Sequence, residues 1–296
     1  MLVVVNDGNG QMCNKILFQI NILASSYVRK YDVVYYGKDN FDGFLLKQGD
    51  LEHRVVYKKE ASRPLYNIVR GFHKIFSMTR IGCKKFVMVG ANNQQEVNKL
   101  LESDYLNKHK TFLYGWPFYD LEALRKAGSY VREYMQPTEE LRKSVDIEMN
   151  SIRKEYNCVI GVHLRRGDYI NWRGGAYYYS NEEYLVCMER LFKMLKLSGK
   201  VIFLLFSNEK VEEQDFRNPY FSTKLVSGTA AHDFHMMAKC NYIMGPPSSF
   251  SGLASYLGKV PRYMIEDTKK NISPNNLLIW LEETDSWGLP DVKRSI

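Results

Sequence analysis

The chain has 296 residues, of which 45% are hydrophobic and 25% charged, with only nine prolines. That composition excludes disorder and is enough for two domain cores without disulfide or metal staples. Its 41 lysines and arginines against 33 acidic residues give a formal charge of +8, which favours anionic partners (nucleic acid, acidic headgroups or a nucleotide-linked substrate) without choosing among them.

The N-terminal run Leu2–Val5 enters an apolar strand directly, with no charged leader region and no small-residue cleavage site. Further short apolar runs predict strands at Val33–Tyr36, Phe86–Val89, Thr111–Tyr114, Val159–Leu164, Val201–Phe206 and Tyr242–Met244. Helical spacing predicts helices around 12–29, 64–77, 94–102, 138–155, 181–197, 230–240 and 249–257. Apolar strands alternating with helices give an α/β protein with parallel sheets covered on both faces. The order restarts after the charged helix that follows Pro137, which predicts two Rossmann-like domains over 1–155 and 156–296. No apolar run is long enough to span a bilayer. The five cysteines form no C-x-x-C pair, so neither a disulfide framework nor a zinc knuckle is expected. A cytoplasmic protein is the reading that follows.

Ligands of such sheets bind beyond the carboxyl ends of the strands. There lies Gly161-Val-His-Leu-Arg-Arg-Gly-Asp-Tyr169, which puts His163, Arg165, Arg166 and Asp168 at one strand end. Arginine pairs bidentately with phosphate oxygens and stays charged, and Gly167 allows a close backbone approach. Alternation along a strand puts His163 and Arg165 on one face and Arg166 on the other. A structural ion-pair corner built with Asp168 is the competing reading. The overlapping Arg166-Gly-Asp168 triplet is a chance match to an adhesion signal.

A second segment, Gly228 to Asn241, reads as a helix, followed by the strand Tyr242-Ile-Met and the turn Gly245-Pro-Pro-Ser-Ser-Phe-Ser251. A serine turn opening a helix offers backbone N–H groups and a favourable dipole to an anion, although one serine could equally be a plain cap. His232 and His235 lack the partners of a hydrolytic zinc site, and no metal is expected. Asp233 suits the paired donors of a guanine edge, or simply stabilises its helix start.

Together these segments resemble the inverting fucosyltransferases, particularly glycosyltransferase family eleven, the α-1,2-fucosyltransferase-like family. His163-Leu-Arg-Arg-Gly-Asp-Tyr169 is similar to its donor signature, and Phe206-Ser-Asn208 and Ser248-Ser-Phe-Ser251 are similar to two later motifs. Gly8-Asn-Gly-Gln-Met-Cys-Asn14 is similar to its glycine-rich turn, with Gly10, Gln11 and Asn14 in a cleft loop. The chain departs from the family at Gly252-Leu253, where two tryptophans are usual.

The resemblance implies the GT-B architecture of two Rossmann-like domains facing a cleft, the N-terminal one on the acceptor side and the C-terminal one binding a GDP-sugar. It implies transfer of L-fucose from GDP-fucose to a glycan hydroxyl with inversion, in an α-1,2 linkage. Other linkages, such as α-1,6 or α-1,3, and other nucleotide sugars stay open. Arg165 and Asp168 would be catalytic, Arg165 on the β-phosphate and Asp168 as base or as partner of an arginine. His163, Arg166, Asn208, Asp233, Ser248, Ser249 and Phe250 would bind the donor. No cofactor and no metal is implied, and the chain has no D-x-D triplet.

Over 63–77, Leu65, Ile68, Val69, Phe72, Ile75 and Phe76 fall at helical spacing beside Arg63, Arg70 and Lys74. Such a basic amphipathic helix either packs on the core or rests peripherally on an anionic membrane, where a lipid-linked acceptor would be met. A basic nucleic-acid-binding protein is the reading from another class. No reader motif supports it, and acids interleave with the basic residues. No nucleic-acid partner is expected.

Overall fold

The valine-rich N-terminal run forms β1 (Leu2–Asn6), the centre of a sheet completed by β2 (Val33–Gly37), β4 (Val55–Lys58), β5 (Phe86–Gly90) and β6 (Lys110–Tyr114). Two short strands, β3 (Phe44–Leu46) and β7 (Met135–Pro137), pair separately. The order is β4-β2-β1-β6-β5 with every neighbour parallel. The computed structural model describes residues 2–6, 11–37, 44–46, 55–58, 67–68, 71–72, 86–90, 93–101, 105–116 and 118–290.

The helix Met12–Arg29 buries Ile16, Leu17, Ile20 and Leu23. It ends where Lys30 adopts a left-handed conformation and donates its N–H to the Ser26 carbonyl. Arg29, in its last turn, complements the helix dipole and pairs with the buried Asp120 at 2.8 Å. Of the helix expected over 63–77, Asn67, Ile68, Gly71 and Phe72 are among the described residues; all four are helical and exposed, so Ile68 and Phe72 do not enter the core. The remainder lies outside the described residues.

The second sheet is built on β8 (Cys158–Leu164), buried along its whole length, and β9 (Val201–Ser207). Around them lie β10 (Ser222–Val226), β11 (Tyr242–Gly245), β12 (Arg262–Met264) and β13 (Leu277–Leu278). The order β10-β9-β8-β11-β12-β13 is parallel up to β12, with β13 antiparallel at the edge. One face packs Ile160, Val162, Leu164, Phe203 and Leu205 against Tyr184, Met188 and Leu191 of the helix Asn181–Leu195. The chain runs outward from β8 to β10 and then returns to β11 beside β8. The carboxyl ends of β8 and β11 therefore form the topological switch point, where such sheets bind ligands.

The two compact units are Met1–Gln136 and Pro137–Ile296. The division expected after residue 155 thus falls ahead of the charged helix instead of behind it. That helix, Glu139–Glu155, starts at the Thr138 cap and buries Val145, Met149 and Ile152. It packs on β8 and on the helix Ala230–Met237, and Asp146 and Glu148 pair with Lys239 and Lys224 of the same unit. Its apolar stripe of Val145, Met149 and Ile152 belongs to the second core.

Candidate functional site

The strand β8 runs into a tight corner at Arg165–Asp168. Gly167 sits at φ +63, a conformation that side chains resist, and a Cβ there would meet the Asn208 amide at 2.8 Å. Asn208, exposed just beyond β9, accepts a hydrogen bond from the Arg166 N–H at 2.9 Å and fixes the turn. Arg165, with its side chain 14% exposed, pairs with Asp168 at 2.6 Å and lies over the Tyr169 ring at 5.1 Å. Asp168 itself is 62% exposed. Arg166 goes the other way, its guanidinium hydrogen-bonded to Asn181, which in turn donates to Asp215 at 2.7 Å. Both arginines lie just past the end of β8 at Leu164 and take different partners.

His163 is buried next to the Phe250 ring, with centroids 5.1 Å apart. Burial, reinforced by Arg165 and Arg262, lowers its pKa from the usual 6.5 to about 3, so the ring is neutral near pH 7. Its Nδ1 has no hydrogen-bond partner in the structure. Across the switch point stands the turn Gly245–Ser248. A Cβ at Gly245 would lie 2.9 Å from both the Cβ and the carbonyl oxygen of His163, so only glycine lets the turn press this closely on β8.

Tyr169 donates its hydroxyl to the Pro247 carbonyl, and burial raises the pKa of that hydroxyl. The turn then opens the helix Ser249–Gly258, with Ser248 as its cap accepting from the Phe250 N–H at 3.2 Å. Both the cap and the anion reading of these serines fit, since one hydroxyl satisfies only one of the N–H groups that a helix start leaves over. Gly252, where the family's tryptophans would begin, faces the Trp280 ring so closely that a Cβ would come within 2.5 Å of it. Trp280 takes that space here.

Asp233 lies at the start of the helix Ala230–Met237, half-buried, with its pKa raised by desolvation against the lowering effect of His232 and the Gly228 N–H. The Gly228 N–H and His232 both approach its Oδ1, at 3.1 and 3.5 Å. His232 also approaches Glu148 at 3.4 Å. Among the described residues no three His, Cys, Asp or Glu side chains come together as a metal site. No helix among them is long and apolar enough to cross a membrane.

In the first unit, Gln11 caps the helix Met12–Arg29 by its carbonyl and is exposed, and Asn14 is half-buried one turn in. Both follow β1 at that sheet's own switch point. Gly10 and Gly8 lie outside the described residues. The structure also adds a residue that sequence reading missed. Arg262 in β12 is 4% exposed, donates to the Pro246 carbonyl at 2.7 Å, and stands near His163 and Tyr169. Its only signal was a charge inside the apolar run Val260-Pro-Arg-Tyr-Met-Ile265.

Both units hold parallel α/β sheets, and within the second an arginine corner and a helix start meet at the switch point, an architecture that fits the GT-B class of glycosyltransferases. The family model of glycosyl transferase family 11 matches residues 84–273, and the chain belongs to that family. Solved structures agree on the fold. A mutant of Arabidopsis thaliana FUT1 in complex with GDP is similar at TM-score 0.65 and 10% identity, over 89% of this chain and 70% of that one. The fucosyltransferase NodZ from Bradyrhizobium is similar at TM-score 0.56 and 15% identity, over 88% of this chain and 93% of its own. POFUT1 in complex with GDP follows at TM-score 0.52 and 10% identity, over 88% and 97%. No curated protein matches the chain significantly.

Proposed function

We propose that this family 11 glycosyltransferase moves L-fucose from GDP-fucose to a glycan hydroxyl with inversion, forming an α-1,2 linkage without a metal. The observation that carries this reading is Arg165, held at the end of β8 by Asp168 and set across the switch point from the helix start at Ser248. A half-buried guanidinium and a helix dipole favour the charge that grows on a departing diphosphate. The second unit takes the donor and the first takes the acceptor, with Gln11 and Asn14 near its glycine-rich loop. An oligosaccharide is the acceptor class, free or lipid-linked.

In the reaction, the acceptor oxygen attacks C1 of fucose while the C1–O bond to the β-phosphate breaks, and that electron pair leaves on GDP. The acceptor proton goes to Asp168, the exposed carboxylate of the corner. Neutral His163 and Phe250 contact the nucleoside, Asp233 accepts from the guanine edge, and Ser248 and Ser249 donate to phosphate. Arg166 and Asn208 hold the turn that presents Arg165. The binding of GDP or GDP-fucose by similar folds supports the choice of donor.

The test is transfer of labelled fucose to a glycan panel in chelator, with the linkage of the product determined. An α-1,2 fucoside formed under chelation is expected; a strict divalent-metal requirement or a retained β configuration contradicts the proposal. Asp168→Asn should lower turnover at least a hundredfold, whereas a variant within a few-fold of the parent would leave Asp168 only as the partner of Arg165.

A further inference from the structure

Arg262 is a charged side chain in the wrong place for a merely structural role. It is 4% exposed, no carboxylate pairs with it among the described residues, its NH2 donates to the Pro246 carbonyl, and its Nε has no partner. Buried charges are as a rule paired, and each orphaned buried donor calls for an explanation. Burial drops its pKa from 12.5 to about 10, still well above neutrality, so the guanidinium keeps its charge.

Its surroundings point to one kind of missing partner. The strand register puts Arg262 beside Ile243 and Ile243 beside Gly161, which places the side chain on the His163 face of the sheet. From there it reaches the turn that leads into the ten-residue helix Ser249–Gly258. Tyr169 holds the next carbonyl of that turn, at Pro247. Arg165, the helix start and Arg262 therefore put three sources of positive potential around one short turn. Arg165 is already engaged by Asp168, whereas Arg262 has no carboxylate partner among the described residues.

We propose that Arg262 is the buried half of an anion subsite, a positioning residue that acts through the Pro246–Ser248 turn to hold the nucleoside diphosphate and its leaving charge. The apo protein carries this guanidinium uncompensated, and the arriving diphosphate supplies the counter-charge. The inference rests on the reading of that turn as the donor's phosphate site, but not on the base or sugar of the donor.

The experiment compares Arg262→Met and Arg262→Lys with the parent by calorimetry against guanosine, GDP, ADP, UDP and inorganic pyrophosphate, with melting temperatures recorded for the apo and GDP-bound forms. Removing an uncompensated buried charge should leave the apo melting temperature of Arg262→Met unchanged or higher. Its affinity for GDP should fall about 30-fold or more while guanosine binding stays within about twofold, and Arg262→Lys should fall between. If ADP, UDP and GDP bind the parent equally and all weaken in Arg262→Met, the subsite stands and the GDP assignment falls. If the apo form of both variants is destabilised and guanosine weakens together with GDP, Arg262 is structural and the inference is overturned. GDP affinity within threefold of the parent overturns it as well.

Discussion

Replacing Arg165 by alanine should separate stability from catalysis, because the two depend on different surroundings of the same side chain. Its ion pair with Asp168 is short, at 2.6 Å, but the carboxylate is 62% exposed and returns to water when the arginine is lost. A pair of that kind contributes about 0–1 kcal/mol. The contact with the Tyr169 ring at 5.1 Å adds about 0.5–1 kcal/mol. The unfolding free energy should therefore fall by no more than about 2 kcal/mol, a drop of a few degrees in Tm for a protein of this size. Turnover should fall far more, since removing one preorganised donor to a developing anion costs about 100- to 1,000-fold in kcat. Arg165→Lys keeps the charge but loses the two-pronged geometry and should lie between. Thermal unfolding and donor turnover on the same preparations make the comparison. An alanine variant within tenfold of the parent in kcat would refute the leaving-group role, and an inactive variant that is also unfolded would refute the stability estimate.

Two further outcomes follow from the same geometry. Between pH 6.5 and about 3 the unfolded chain carries a proton at His163 that the folded chain refuses, so stability is full above 6.5 and is lost as pH falls toward 3. The slope approaches about 1.4 kcal/mol per pH unit; it should be absent from His163→Gln and therefore appear in the difference between parent and variant in urea melts at pH 7, 6, 5 and 4. Gly252→Ala gains up to about 1 kcal/mol of helix propensity, but its Cβ meets the buried Trp280 ring at 2.5 Å, and overpacking of that kind costs about 1–3 kcal/mol. A net loss of stability in a denaturant melt is expected, and a stabilised variant would mean that the ring yields freely.

The central parallel strands were legible because each is a continuous apolar run; Val159–Leu164 and Val201–Phe206 fall inside β8 and β9. The edges were not. β10 is a polar strand with one buried residue, and β12 holds a charge among three residues, so neither carries a strand's hydrophobic signature. The helix Glu139–Glu155 was found by its pattern but placed on the wrong side of the division, because its three buried residues are diluted by charge. In the site, alternation along β8 was the ground for expecting Arg165 and Arg166 to point apart, and they do take different partners beyond the strand's end. The partner of Arg166 was not legible: Asn181 caps no motif and arrives from a helix start fifteen residues on. Arg262 escaped for a related reason, since what marks it is burial without a counter-charge, and burial is a property of the fold.

The proposed guanosine-diphosphate site at Arg165 is tested most directly by calorimetry in chelator with GDP, ADP and UDP, on the parent beside Arg165→Ala. Selective binding of GDP by the parent, lost in the variant, is the predicted result. Equal binding of the three nucleotides, or GDP binding that survives Arg165→Ala unchanged, would contradict it.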